Sequence, residues 1–136
     1  KEVLIALDTT TIHSMHDPTE GGLATGLREV ALAAGVGMRV DREAIRSLPE
    51  CRTICATLEV DPLGLLASGA LIMTLPGDRA PALIAVLSHQ GIEAQVIGEV
   101  RPQEEGLKLS TDNGLEEMPS FARDELARYL DEAPGT

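Results

Sequence analysis

Apolar and polar positions change period several times along the chain, and each change predicts an element. Leu23, Leu27, Val30, Ala31 and Ala34 recur at helical spacing, which predicts an amphipathic helix of about 12 residues stopped by Gly35. Residues 36–40 alternate and read as a strand, after which Asp41 caps a short turn through Ile45. Leu48-Pro49 opens a helical segment with Cys51, Ile54, Cys55 and Leu58 on its inner face. Asp61-Pro62 marks a turn, residues 63–67 one more helical turn, and residues 70–75 a strand closed by Pro76-Gly77-Asp78. Residues 80–89 form a helix on Leu83, Ile84, Val86 and Leu87, ended by Gly91. Residues 94–100 and 107–110 read as strands, 101–106 and 111–119 as loops. Residues 121–130 read as a last helix with Leu126, Tyr129 and Leu130 packing inward. At the start, residues 3–7 fit either a helix end or a strand, and a β-type segment follows at 12–15. Residues 131–136 are polar and expected to fray.

Helices fall between strands throughout, so the pattern predicts a layered α/β domain around a mixed sheet. With 136 residues there is enough chain for one domain over 1–136, its core at about 12–130. The formal charge of -11 has the wrong sign for attraction to nucleic acid or to an anionic membrane. Phe121 and Tyr129 are the only aromatics, so stacking platforms for single strands are missing. No apolar run is long enough for a spanning helix. The chain opens with Lys1 and shows no secretory pattern, which points to a cut or mature cytoplasmic chain. Cys51 and Cys55, four apart, fit two buried or half-buried thiols better than a disulfide scaffold or a zinc site.

The stretch His16-Asp17-Pro18-Thr19-Glu20-Gly21-Gly22 carries the most chemistry. Two glycines before a helix leave backbone amides uncovered, and the first-turn N–H groups carry the positive end of the helix dipole, a seat for phosphate. Asp17 and Glu20 are candidate ligands for a divalent cation bridged to that phosphate, and Thr19 and Thr25 add hydroxyls. Without a cation these carboxylates repel a nucleotide. Arg28 is the one nearby basic side chain placed to reach back. His16 and Asp17 are the candidates for proton transfer. The same residues also make a plain turn with a helix start, and they match neither the P-loop nor the dinucleotide fingerprint.

The run from His16 to Thr25, the helix at 26–34 and Gly35-Val36-Gly37 together resemble the C-terminal domain of the AIR synthase superfamily, in particular its HypE, hydrogenase-maturation branch. Val60-Asp61-Pro62-Leu63, Ala67-Ser68-Gly69-Ala70-Leu71 and Val96-Ile97-Gly98-Glu99-Val100 extend the likeness over about residues 12–101. The resemblance implies an α/β/α three-layer domain that works with an N-terminal ATP- and magnesium-binding domain outside this chain. It implies activation of a carbonyl or carboxamide-type oxygen by phosphoryl transfer, dimerisation through the N-terminal domains and a maturation-type protein partner. Asp17, Thr19, Gly21 and Gly22 then line the nucleotide or phosphorylated-substrate side of the cleft, with Thr25 beside them as a further candidate for binding, while this piece alone is inert. Two departures stand out. The Pro-Arg-Ile-Cys tail of HypE proteins has no counterpart in Asp131–Thr136, and Glu20 stands where HypE often has a basic residue. The missing tail implies either a chain that stops early or a HypE-like paralogue with a different substrate, and Glu20 implies metal assistance or an altered substrate. The alternative to the enzyme is a substrate-binding or regulatory domain of the same fold without catalysis.

Overall fold

The computed structural model describes residues 1–132. Helix α1 (Glu2–Thr9) leads to β1 (Ser14–His16), α2 (Gly22–Ala34), β2 (Gly37–Asp41) and α3 (Pro49–Leu58). Then come β3 (Ile72–Thr74), α4 (Ala80–His89), β4 (Gly98–Arg101), β5 (Leu107–Thr111), β6 (Gly114–Glu117) and α5 (Glu125–Glu132), with 3-10 turns at Pro62–Gly64, Gly77–Arg79 and Gln103–Glu105.

The strands form two sheets, an antiparallel pair β1–β3 and a four-stranded sheet in the order β4-β2-β5-β6. In the larger sheet β2 and β5 run parallel while β2–β4 and β5–β6 are antiparallel, so the sheet is mixed, as the sequence predicts. Only β2–β5 needs a crossover; the other neighbours reverse direction.

Alternation along β3 explains the layering. Ile72 enters the main core with Ala24 and Leu27 of α2, Met38 and Val40 of β2, and Leu107 and Leu109 of β5. The next residue, Met73, joins a second cluster with Ala6 of α1 and Leu83 and Leu87 of α4. The β1–β3 pair is therefore covered by α2 on one face and by α1 and α4 on the other, an α/β/α arrangement. Helix α2 comes very close: a Cβ at Gly26 would lie 2.6 Å from the Pro18 Cβ and 3.1 Å from the Ile72 Cδ1. Gly35 ends α2 in the left-handed region (φ 64, ψ 40), and the Val36 N–H returns to the Ala31 carbonyl at 3.0 Å.

Several elements depart from the sequence pattern. The turn after Asp61 is a 3-10 turn confined to Pro62–Gly64, and the strand expected at 94–100 shrinks to Gly98–Arg101. The expected loop 111–119 contains β6, which completes a hairpin with β5. The last helix starts at Glu125, with Leu126 and Leu130 exposed and Glu125 buried instead. Ile54 is exposed on α3, where Cys55 alone is buried. Residues 133–136 of the expected frayed end lie outside the described residues. Among the described residues no helix is long and apolar enough to cross a membrane.

Candidate functional site

Strand β1 delivers His16 at its last position, opposite Ile72. The chain then turns sharply: the Thr19 N–H donates to the Asp17 carbonyl at 2.8 Å, and Pro18 is fully buried. The Thr19 carbonyl accepts from the Ala67 N–H at 3.3 Å, which fastens the loop to the segment following the 3-10 turn. Gly21 and Gly22 both have φ of 72, a left-handed conformation that side chains with a Cβ rarely adopt. No side chain caps α2, and its first turn holds no acidic residue. Its opening amides thus keep their donor capacity at the positive end of the helix dipole.

The two glycines do different work. A Cβ on Gly22 would lie 2.5 Å from the Leu65 carbonyl oxygen and 2.6 Å from that of Leu63, so Gly22 lets the helix start settle on the 63–65 backbone. A Cβ on Gly21 would instead meet the Thr25 hydroxyl at 2.7 Å, so the bare Gly21 keeps a half-buried position open beside Thr25. The arrangement offers first-turn amides and the Thr25 hydroxyl together as donors to an anionic oxygen.

Asp17 and Glu20 are both exposed on this loop. Among the described residues no group of three or more His, Cys, Asp or Glu gathers around a metal position. His16, half-buried, is held by Glu29 of α2, its Nε2 lying 2.7 Å from the Glu29 Oε2. Glu29 is a residue that sequence reasoning missed. The partnership is tertiary, and no local spacing announces it.

Arg28 does not reach the loop. Its guanidinium donates to the carbonyls of Met118 at 3.1 Å and Pro119 at 3.4 Å, tying α2 to the chain after β6. That backbone tether leaves the acidic loop without the cation expected from Arg28. The segment behind Gly22 is anchored from the other side. The Asp61 side chain accepts from the Leu63 N–H at 2.9 Å and from Arg42 at 3.3 Å, while the Asp61 N–H donates to Glu125 at 3.2 Å. Glu125 also binds Arg128 through two bonds of 2.7 and 2.9 Å. Hydrogen bonding from Arg128 holds the Glu125 carboxyl below its usual range against the opposing effect of burial, and in turn raises Arg128.

A small sheet between helical layers, joined to a glycine-opened helix start, defines a recognisable class. Residues 1–109 match the family described as AIR synthase related protein, C-terminal domain, and the chain belongs to that family. Within it the chain is similar to carbamoyl dehydratase HypE of Rhizobium leguminosarum bv. viciae, 38% identical over 99 residues, which cover 71% of this chain and 28% of that protein. Its fold matches a crystal structure of the hydrogenase maturation protein HypE in complex with ATP, with a TM-score of 0.78 and 33% identity over 88% of this chain and 39% of that one. HypE in a HypE–HypF complex matches with a TM-score of 0.74 and 26% identity, over 81% of this chain and 37% of that one. The chain spans little more than a quarter of the length of the curated relative.

Proposed function

We propose that this chain is the C-terminal lobe of a cytoplasmic, HypE-like ATP-dependent enzyme that activates a carbonyl or carboxamide-type oxygen by phosphoryl transfer. Its own N-terminal nucleotide-binding domain completes the cleft in this reading, as a homodimer and with a maturation-type protein partner. ATP supplies the transferable phosphoryl group, and such transfer depends on positioning and charge stabilisation. The residues of this chain fit that task. The amides opening α2 and the Thr25 hydroxyl donate to phosphate-type oxygens, and the Thr19 hydroxyl borders the same loop. Asp17 and Glu20 offer carboxylates to magnesium, and His16, steadied by Glu29, is the group placed to hold or move a proton beside the loop.

The observation that carries this reading is the start of α2: two consecutive glycines at positive φ and no side-chain cap. The likeness to a HypE that binds ATP and to carbamoyl dehydratases supports it. The test is a backbone-amide NMR titration of the isotope-labelled chain, and of the same residues within the complete protein, with ATP and magnesium. The expected shifts centre on Gly21, Gly22, Leu23 and Ala24. Shifts confined elsewhere, or none in either sample, would overturn the proposal. One observation favours the second reading, a substrate-binding or regulatory domain without catalysis: Glu20 is exposed at a position where HypE often presents a basic residue. That reading expects binding of the oxygen-bearing substrate to the complete protein with no ATP turnover.

A further inference from the structure

Away from the loop, α3 and α5 flank an open apolar groove of about 380 Å³, lined by Ile54, Leu58, Leu65, Leu126 and Tyr129 with Cys51 and Cys55 along one wall. We propose that Cys51 and Cys55 form a dithiol site that a small-molecule disulfide of the glutathione class closes into a disulfide within α3. The two residues sit one turn apart on the same helix face, with their sulfurs 3.8 Å apart. Helix geometry sets their Cα atoms about 6 Å apart, inside the range of about 4.4–6.8 Å that disulfides span. The Cβ atoms of such a pair lie about 5–6 Å apart, so bringing the sulfurs to about 2.05 Å also requires α3 to distort until the Cβ atoms are about 3.5–4.5 Å apart.

Helix α3 is lightly held. Cys55 is its one buried residue, and Leu48 at its N-terminus provides no side-chain cap. Its C-terminus passes through Glu59 at φ 54, the one non-glycine residue at positive φ among the described residues. The groove gives a reagent access to half-buried Cys51, while Cys55 waits behind it. Burial, hydrogen bonding to Cys51 and the charge of Asp61 push the Cys55 thiol up to about 11, so its thiolate is scarce at neutral pH and the closing step is the slow one. A metal is the poorer occupant, because no third donor gathers with the two thiols among the described residues.

The exchange balances without a further reactant. The Cys51 thiolate attacks one sulfur of oxidised glutathione, forming a mixed disulfide and releasing one glutathione thiolate. Cys55, as its thiolate, then attacks the Cys51 Sγ, forming the intrahelical bond and expelling the second glutathione. Two electrons pass to the glutathione sulfurs, and the two cysteine protons finish on the two released thiols.

The test equilibrates the reduced full chain with oxidised glutathione, followed by alkylation and intact mass. The expected product loses about 2 Da, the two thiol hydrogens, keeps no alkylatable thiol, and runs as a single chain on a non-reducing gel. Trypsin cuts after Arg52, between the two cysteines, so peptides 47–52 and 53–79 should stay joined until dithiothreitol is added. A Cys51→Ser chain should form no such joined pair. Stalling at a glutathione adduct, crosslinking to a second copy, or two thiols left alkylatable would each overturn the assignment.

Discussion

Position 22 leaves no room for even one methyl group. An alanine there would press its Cβ against the carbonyl oxygens of Leu63 and Leu65, which are backbone atoms unable to swing aside, and would also have to hold a φ of 72. Left-handed strain of roughly 1–2 kcal/mol adds to an overpacking cost of similar size, so Gly22→Ala should lose about 2–4 kcal/mol of stability in urea unfolding. Gly35→Ala provides the contrast. It meets nothing within 4 Å and should cost only the conformational strain, about 1 kcal/mol. Gly21→Ala falls between, because its Cβ meets the Thr25 side chain rather than backbone. Equal losses at positions 22 and 35 would contradict the packing role. The glycine doublet and the helix that follows it were legible in the sequence, through composition and period. The division of work between Gly21 and Gly22 was not, since it depends on carbonyls delivered by a distant turn. The same holds for His16, whose Glu29 partner is brought up by the fold, and for Arg28, whose long side chain was free in the sequence to point either way.

At the scale of elements, α5 is fastened through Glu125 to the turn that supports the site loop. The Glu125 carboxylate accepts from the Asp61 N–H and from Arg128, and its Cγ lies where a Cβ at Gly64 would meet it at 2.7 Å. Its folded-state carboxyl titrates below the ordinary 4.5, so its contribution is complete above that value and is lost as the pH falls through the lower folded value. Glu125→Gln should therefore lower stability by about 1 kcal/mol at neutral pH, a modest figure because Arg128 is partly exposed. The deficit against the parent chain should begin to shrink below pH 4.5 in acid denaturation profiles and vanish once the pH has fallen through the lower folded value. A deficit that stays constant into acid would show that the charge plays no part. The start of this helix was in fact written locally: the Asp124 side chain accepts from the Leu126 N–H, as an acidic cap does. The apolar period outweighed that signal because Leu126 borders an open groove, a position indistinguishable from core by spacing alone. The β5–β6 hairpin was missed for a related reason. Asp112-Asn113 makes the two-residue turn, yet β6 carries only Leu115 as an apolar residue and is exposed along its length, so no alternation marks it.

Across the whole molecule the electrostatics decide what the site can hold. The chain carries a formal charge of -11, the loop contributes exposed Asp17 and Glu20, and Arg28 is committed to backbone carbonyls elsewhere. The partial positive charge of one helix start, about half an elementary charge, cannot by itself outweigh that field for a polyanion. Magnesium should therefore be a condition of nucleotide engagement rather than an accessory to it. Shifts of the Gly21 and Gly22 amides with ATP should appear with magnesium present, collapse on adding EDTA, and need at least about tenfold more nucleotide without the metal. Replacing both carboxylates, Asp17→Asn with Glu20→Gln, should separate the two effects. The metal-bound nucleotide should bind more weakly than to the parent chain, because the bridging ligands are gone. Metal-free ATP should bind more strongly than to the parent chain, because the local repulsion has been removed. Titrations read at the same four amides, in the complete protein and at fixed ionic strength, distinguish this from simple damage to the loop, which would weaken both forms together. Loss of both forms, or indifference to EDTA in the parent protein, would mean that Asp17 and Glu20 face something other than a magnesium-bound phosphate.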